Sequence, residues 1–160
     1  MNEFRTMRRF RQQLTEQECL AVLNAEKRGV LSLLGENGYP YGVPMNHWFC
    51  EADGKLYFHA AKEGHKLDAI RKCDKVCYTV VEKGAAIDGD WALQVRSVIV
   101  FGQMSLVTDG EKAKEICSAL CRRFTDDEAY LRRELESALP RVQCLMLTPE
   151  HVTGKLVTES

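Results

Sequence analysis

The sequence predicts a mainly β protein, an antiparallel β-barrel with accessory helices. Three observations lead there. Short β-rich segments follow one another in meander order with few helices between them, which favours antiparallel pairing over a doubly wound sheet. No G-x-G-x-x-G follows a predicted strand, so the Rossmann dinucleotide fingerprint is missing. The 160 residues suit one core, and a single domain over 1–160 is expected.

Thr15 and Glu18 form a T-x-x-E capping box ahead of Leu20, Val22 and Leu23. They predict a first helix over about 16–27, ended by Gly29. Residues 30–34 read as a short apolar strand and Glu36-Asn37-Gly38 as a turn. A second strand is expected over 41–50. Pro44 lies inside it and cannot donate to a ladder, which points to an edge, a bulge or a ligand-facing irregularity. Ala52-Asp53-Gly54 is the next turn, 55–60 a third strand, and 64–72 a short helix with Leu67 and Ile70 on its buried side. A fourth strand follows at 76–81, then a polar loop over 83–90.

Residues 91–107 are rich in β-branched side chains and read as one long strand or two bent ones. Gly102 within them marks a bulge or a close backbone approach. Amphipathic helices are expected over 111–124 and 126–138. Strands over 141–147 and 151–156, separated at Pro149, close the chain.

Composition narrows the function classes. The net charge of −1 gives no basic excess for nucleic acid, and Arg5, Arg8, Arg9 and Arg11 read as a solvated arm. No apolar run approaches the ~20 residues of a membrane span. The basic N-terminus is not followed by the apolar segment of a secretory signal, so a cytoplasmic protein is expected. Seven cysteines, an odd number, argue against a disulfide framework. Cys73/Cys77 and Cys117/Cys121 have helical spacing, but zinc sites more often use two-residue gaps, and small buried thiols are the expectation.

The segment Tyr57-Phe58-His59-Ala60-Ala61-Lys62-Glu63-Gly64-His65-Lys66 carries the most chemistry. A strand ends, small residues follow, and a helix starts at a glycine. Helix starts leave N–H groups unpaired and carry partial positive charge, so a lysine there makes sense when an anion shares the site. Phosphate is the natural anion; the alternative is that Lys66 is a solvated surface charge. Two further segments draw notice: Gly42-Val43-Pro44-Met45-Asn46, where a strand turns irregular, and Arg96 to Gln103.

Taken in order, Gly29-Val30-Leu31, Tyr41-Gly42-Val43-Pro44, Leu56 to Ala61, Gly64-His65-Lys66, and Arg96-Ser97-Val98 through Gly102 form a pattern. It resembles the pyridoxamine-phosphate-oxidase-like, FMN-binding split-barrel superfamily, and within it the 5-nitroimidazole-resistance branch. Met7-Arg8-Arg9 and Gly154-Lys155 fit that branch as well. The resemblance implies a homodimer with two FMN sites, each built from both subunits. It implies that Val43, Pro44, Met45 and Asn46 face the isoalloxazine edge, and that His59 and Ala60 lie along the flavin. Gly64, His65 and Lys66 would hold the phosphate, and Ser97 and Val98 would come from the partner. Ser97 stands where pyridoxamine-phosphate oxidases use glutamine, and His65-Lys66 where they carry Arg-Lys. With no match to their C-terminal substrate signature, vitamin B6 oxidation is not expected.

The function so implied is an FMN-dependent reductase of a small electrophile, a nitroaromatic among the candidates, with NAD(P)H as electron donor and His59 as candidate catalytic residue. The alternative is a non-catalytic FMN- or haem-binding protein for storage or sensing. A zinc protein using the cysteines is a third reading. A metal triad of His47, His59 and His65 is a further possibility, although nothing in the sequence fixes their convergence. Of the other histidines, His47 or its neighbour Asn46 should face the barrel interior, and His151 the surface.

Overall fold

The computed structural model describes residues 3–159. Helix α1 (Glu16–Ala25) begins at the capping box. The Glu18 amide donates to Thr15 Oγ1 at 3.2 Å, and the Thr15 amide to the Glu18 carboxylate at 2.7 Å. Cys19, Val22 and Leu23 form its buried face. It stops two residues before the expected end at Lys27, because Arg28 and Gly29 already pair as strand β1 (Arg28–Leu34). Gly29 is therefore a strand glycine and not a helix stop. A Cβ there would lie 2.5 Å from the Thr79 carbonyl oxygen and 2.7 Å from the Tyr78 ring.

The expected second strand is two strands, β2 (Pro40–Asn46) and β3 (Trp48–Cys50). They part at His47, whose amide leaves the ladder for the Lys27 carbonyl at 3.1 Å and whose ring is fully buried. Strand β4 (Lys55–Ala61) leads into helix α2 (His65–Lys72), which buries Leu67, Ala69 and Ile70. Strand β5 (Lys75–Val81) follows. The expected loop contains a two-residue strand, β6 (Ala85–Ala86), paired with the start of β7 (Leu93–Leu106). Helices α3 (Gly110–Arg122) and α4 (Glu128–Ala138) are capped by the Asp109 and Asp127 side chains. The last two expected strands are one, β8 (Val142–Glu159). Pro149 does not end it but sits at a bulge: Gly102 pairs with Pro149 and Phe101 with His151, leaving Glu150 as the extra residue. The ladder is tight there, since a Cβ on Gly102 would lie 2.2 Å from the Thr148 carbonyl oxygen.

The fold is mainly β, as the sequence predicts. The strands form one antiparallel sheet in the order β2-β1-β5-β7-β8-β4-β3, with β6 beside β7, curled into a half-barrel. Strand β2 is an edge, where a proline's missing donor is tolerated, and this is where Pro44 lies. The inner face buries Leu31, Tyr78, Val98, Val100, Leu145 and Leu147 under α1. A second cluster packs Ile116, Cys117 and Leu120 of α3 on Tyr57 and Cys144. On the outer face an uncharged row runs across five strands through Pro44, Val30, Thr79, Ile99 and Thr153. Val30 is 41% exposed there and Ile99 36%. Among the described residues no helix is long and apolar enough to cross a membrane.

Candidate functional site

The β4–α2 junction has the geometry its sequence suggests. Gly64 is the N-cap of α2 with φ 133° and ψ 175°, a backbone that favours glycine. No side chain caps this helix, whereas Thr15, Asp109 and Asp127 cap α1, α3 and α4. The first amides of α2 are thus left without a side-chain acceptor. Lys66 stands among them, half-buried, and burial lowers its pKa. Among the described residues no carboxylate lies within ion-pair distance of it. An uncapped helix start beside an unpaired, partly desolvated lysine is a donor set suited to phosphate.

His65 points another way. Its ring stacks on Tyr41 of β2, with centroids 4.1 Å apart and planes at 15°, which pins the first turn of α2 to the sheet edge. His59 lies near Lys66. Desolvation by the surrounding walls, and then the Lys66 charge, hold its pKa below the usual histidine range, so the ring is neutral at pH 7. The ring still reaches solvent, because it opens on a cleft of about 520 Å³.

Asn46 shares that cleft, its Oδ1 accepting from Arg28 Nε at 2.9 Å. Leu120, Phe124, Tyr130 and Leu135 of the α3–α4 region supply an apolar and aromatic wall, with Glu134 as an acidic group. Sequence reasoning missed this wall. Its only signal was the amphipathic pattern of two helices, which says that they pack and not where.

The remaining expected site residues are dispersed. The Val43 side chain is half-buried against the core and that of Met45 is buried, while Pro44 is exposed. The Met45 carbonyl oxygen already lies 2.9 Å from the Tyr78 hydroxyl. Ala60 is buried. Val98 is fully buried on the inner face, and Ser97 is half-buried beside it. His59 pairs with Cys144 of β8 and Ser97 with Lys155. The two positions are eleven residues apart along β8, a path of roughly 36 Å at the rise of an extended strand. Ser97 and His59 of one chain therefore do not share a pocket.

The three histidines weighed as a metal triad go to different places. His47 is enclosed, with Nε2 2.7 Å from the Leu23 carbonyl and Nδ1 2.8 Å from the Tyr78 hydroxyl. A carbonyl only accepts, so Nε2 carries the proton. Burial pushes the pKa of His47 down to about 4, against the opposing pull of the Leu23 carbonyl. Among the described residues no three His, Cys, Asp or Glu side chains converge as a metal requires. His151 is half-buried, not on the open surface as expected, because Phe4 stacks on it at 4.6 Å.

Comparison with known proteins places the fold. No curated protein sequence matches the chain. Among solved structures, a candidate 5-nitroimidazole antibiotic resistance protein from Bacteroides thetaiotaomicron superposes with a TM-score of 0.77 at 20% identity, covering 92% of this chain and 87% of that one. An FAD-binding protein from Mesorhizobium loti gives 0.69 at 24% identity, covering 91% and 97%. An FAD- and haem-binding protein from Mycobacterium smegmatis gives 0.71 at 20% identity, covering 91% and 73%. At these identities the likeness is one of fold. The sequence itself matches the pyridoxamine 5'-phosphate oxidase family model over residues 15–156, from the α1 cap to the last third of β8. That match takes in every helix and strand just described except the last three residues of β8, and by it the chain belongs to the pyridoxamine 5'-phosphate oxidase family.

Proposed function

We propose that this chain, acting over 1–160 as one domain, is an FMN-dependent oxidoreductase that reduces a small electrophile, such as a nitroaromatic, at a flavin held between two copies of the chain. The observation that carries this reading is the uncapped start of α2 with the unpaired Lys66, set beside His59 at the mouth of an apolar cleft. The likeness to a nitroimidazole-resistance protein and to FAD-binding proteins supports a flavin. In this reading Gly64, His65 and Lys66 hold the phosphate. His59, Ala60 and the backbone of Val43 to Asn46 flank the ring, and Ser97 and Val98 arrive from the second copy. When bound, FMN supplies the electron-transfer capacity, with NAD(P)H as donor. The chain's own part is placement. Lys66 fixes the anion, the α3–α4 wall excludes water, and the neutral imidazole of His59 can donate or accept one hydrogen bond toward a substrate in the cleft.

If Ser97 belongs to the flavin site, as the resemblance implies, it has to come from a second copy, since within one chain it stands far from His59 along β8. The uncharged outer row through Val30 and Ile99 offers a surface for that copy. A second reading, a non-catalytic FMN- or haem-binding carrier, is favoured by the placement of His59. It is a lone neutral imidazole in an apolar cleft and would be the residue to hold a haem, which would supply one-electron chemistry when bound. The visible spectrum of the purified protein, followed by NAD(P)H consumption with a nitroaromatic acceptor, tests both. A flavin spectrum with turnover supports the reductase, and a bound flavin or haem without turnover supports the carrier. No uptake of FMN, FAD or haem at micromolar protein overturns both.

A further inference from the structure

We propose that Cys117 and Cys144 form a redox-active thiol pair. Cys117 is the peroxide-reacting sulfur at the cleft and Cys144 the resolving sulfur behind it. Cys117 lies on α3 and Cys144 on β8, with their sulfurs 3.6 Å apart. Among the described residues no other two sulfurs stand within hydrogen-bonding distance. Both residues are buried, but they are not equivalent. Cys117 forms part of the cleft wall, whereas Cys144 does not line it. Cys144 Sγ also lies 3.7 Å from the Ala113 carbonyl oxygen.

The pair is built to react in one order. The Cys144 thiol donates to the Ala113 carbonyl and is closed off from the cleft, whereas the Cys117 sulfur lies in the cleft wall. The contact with Cys117 and burial raise the pKa of Cys144, which keeps its proton. The sulfur that a small oxidant in the cleft meets first is thus that of Cys117.

The chemistry balances with hydrogen peroxide as oxidant. The Cys117 thiolate attacks one peroxide oxygen, the O–O bond breaks, and hydroxide leaves, giving a sulfenic acid. The Cys144 sulfur then attacks the Cys117 sulfur. The S–O bond breaks, the S–S bond forms, and the Cys144 proton departs with the leaving hydroxide as water. Two thiols and one peroxide become one disulfide and two waters. The thiols lose two electrons and the peroxide gains them.

A disulfide has an S–S distance of about 2.05 Å, so the sulfurs must approach by about 1.5 Å. Helix α3 can supply that movement, since it packs on the sheet through side chains and shares no ladder with it. The bond would tie α3 to β8 at the position that pairs with His59, and so fix the cleft wall beside that residue. The site stands on these sulfurs alone, whatever ligand the cleft takes.

The test uses the folded wild-type protein, treated with hydrogen peroxide, alkylated in denaturant and digested with trypsin. The expected product is a cross-link between residues 115–122 and 142–155, with two of the seven thiols lost and recovered by dithiothreitol. Cys121 shares the first peptide, so Cys121→Ser must retain the link. Cys144→Ser should leave a dimedone-reactive sulfenic acid on Cys117. Absence of the cross-link in wild type, its loss in Cys121→Ser, or a Cys117 inert to peroxide in the folded state would each overturn the proposal.

Discussion

The ammonium of Lys66 lies near enough to the imidazole of His59 to lower its pKa, although the two residues belong to different elements. One anion placed at the start of α2 would be felt by both. Binding and titration at this corner of the molecule are therefore coupled.

Lys66→Ala should weaken FMN binding by roughly one to two orders of magnitude. A charge-assisted hydrogen bond is worth ~1.5–3 kcal/mol, and ~1.4 kcal/mol is tenfold. Riboflavin lacks the phosphate, so its affinity should stay the same. Fluorescence quenching with both ligands checks this. An equal loss for the two, or no loss for FMN, would make Lys66 a surface charge only.

The same variant should raise the pKa of His59, because one of the two causes that depress it is gone. Saturating inorganic phosphate on the wild type should move it in the same direction by neutralising the lysine. NMR titration of the His59 ring measures both shifts. A pKa that ignores both changes would separate His59 from the anion site.

Buried His47 should make the fold acid-sensitive. Its folded pKa of about 4 lies below the unfolded value near 6.5. Between those pH values the unfolded chain binds a proton that the folded chain refuses. Stability should therefore fall as pH drops through that window, by about 3 kcal/mol at most from this group. Denaturant melts across pH 4–7 on wild type and His47→Gln check it, the variant showing the flatter dependence. Parallel curves would exclude His47 as the source.

Ile99→Glu places a charge in the uncharged outer row. If two copies meet there, the variant should run as a monomer in light scattering and lose FMN affinity along with the partner's Ser97. A flavin-loaded monomer, in variant or wild type, would overturn the shared site.

Much of this architecture was legible because local chemistry decides it. The Thr15–Glu18 box sets the first helix, Gly64 permits the turn into α2, and Pro44 finds an edge. Where the sequence misled, a distant neighbour overrode the local signal. Gly29 looks like a helix stop but is required by the approach of Tyr78 and Thr79 from another strand. His47 breaks a strand to reach carbonyls of residues 23 and 27 that no spacing rule foresees. Pro149 looks like a terminator but is absorbed by a bulge facing Gly102. The cleft was the least legible feature, since its wall comes from α3 and α4 while Asn46 and His59 come from strands far earlier in the chain. The residues that the family resemblance points to could be picked out one by one. That Asn46 and His59 share a pocket, and that Ser97 stands apart from them, depends on register.

The pairing of β7 with β8 along nearly their whole lengths also sets an order of events as the chain folds. Residues 107–141 intervene between the two strands, so their first contact must close a long loop before any ladder bond rewards it. Helices α3 and α4 lie within that loop, start at their own aspartate caps and need only local contacts. They can form early and shorten the span to be closed. The β7–β8 ladder then zips from the end nearest Leu106 and Leu145, and the bulge at Glu150 is the last irregularity it passes before the Ser97 end pairs. The Cys144 and His59 side of the cleft is thus in place before the Ser97 edge pairs.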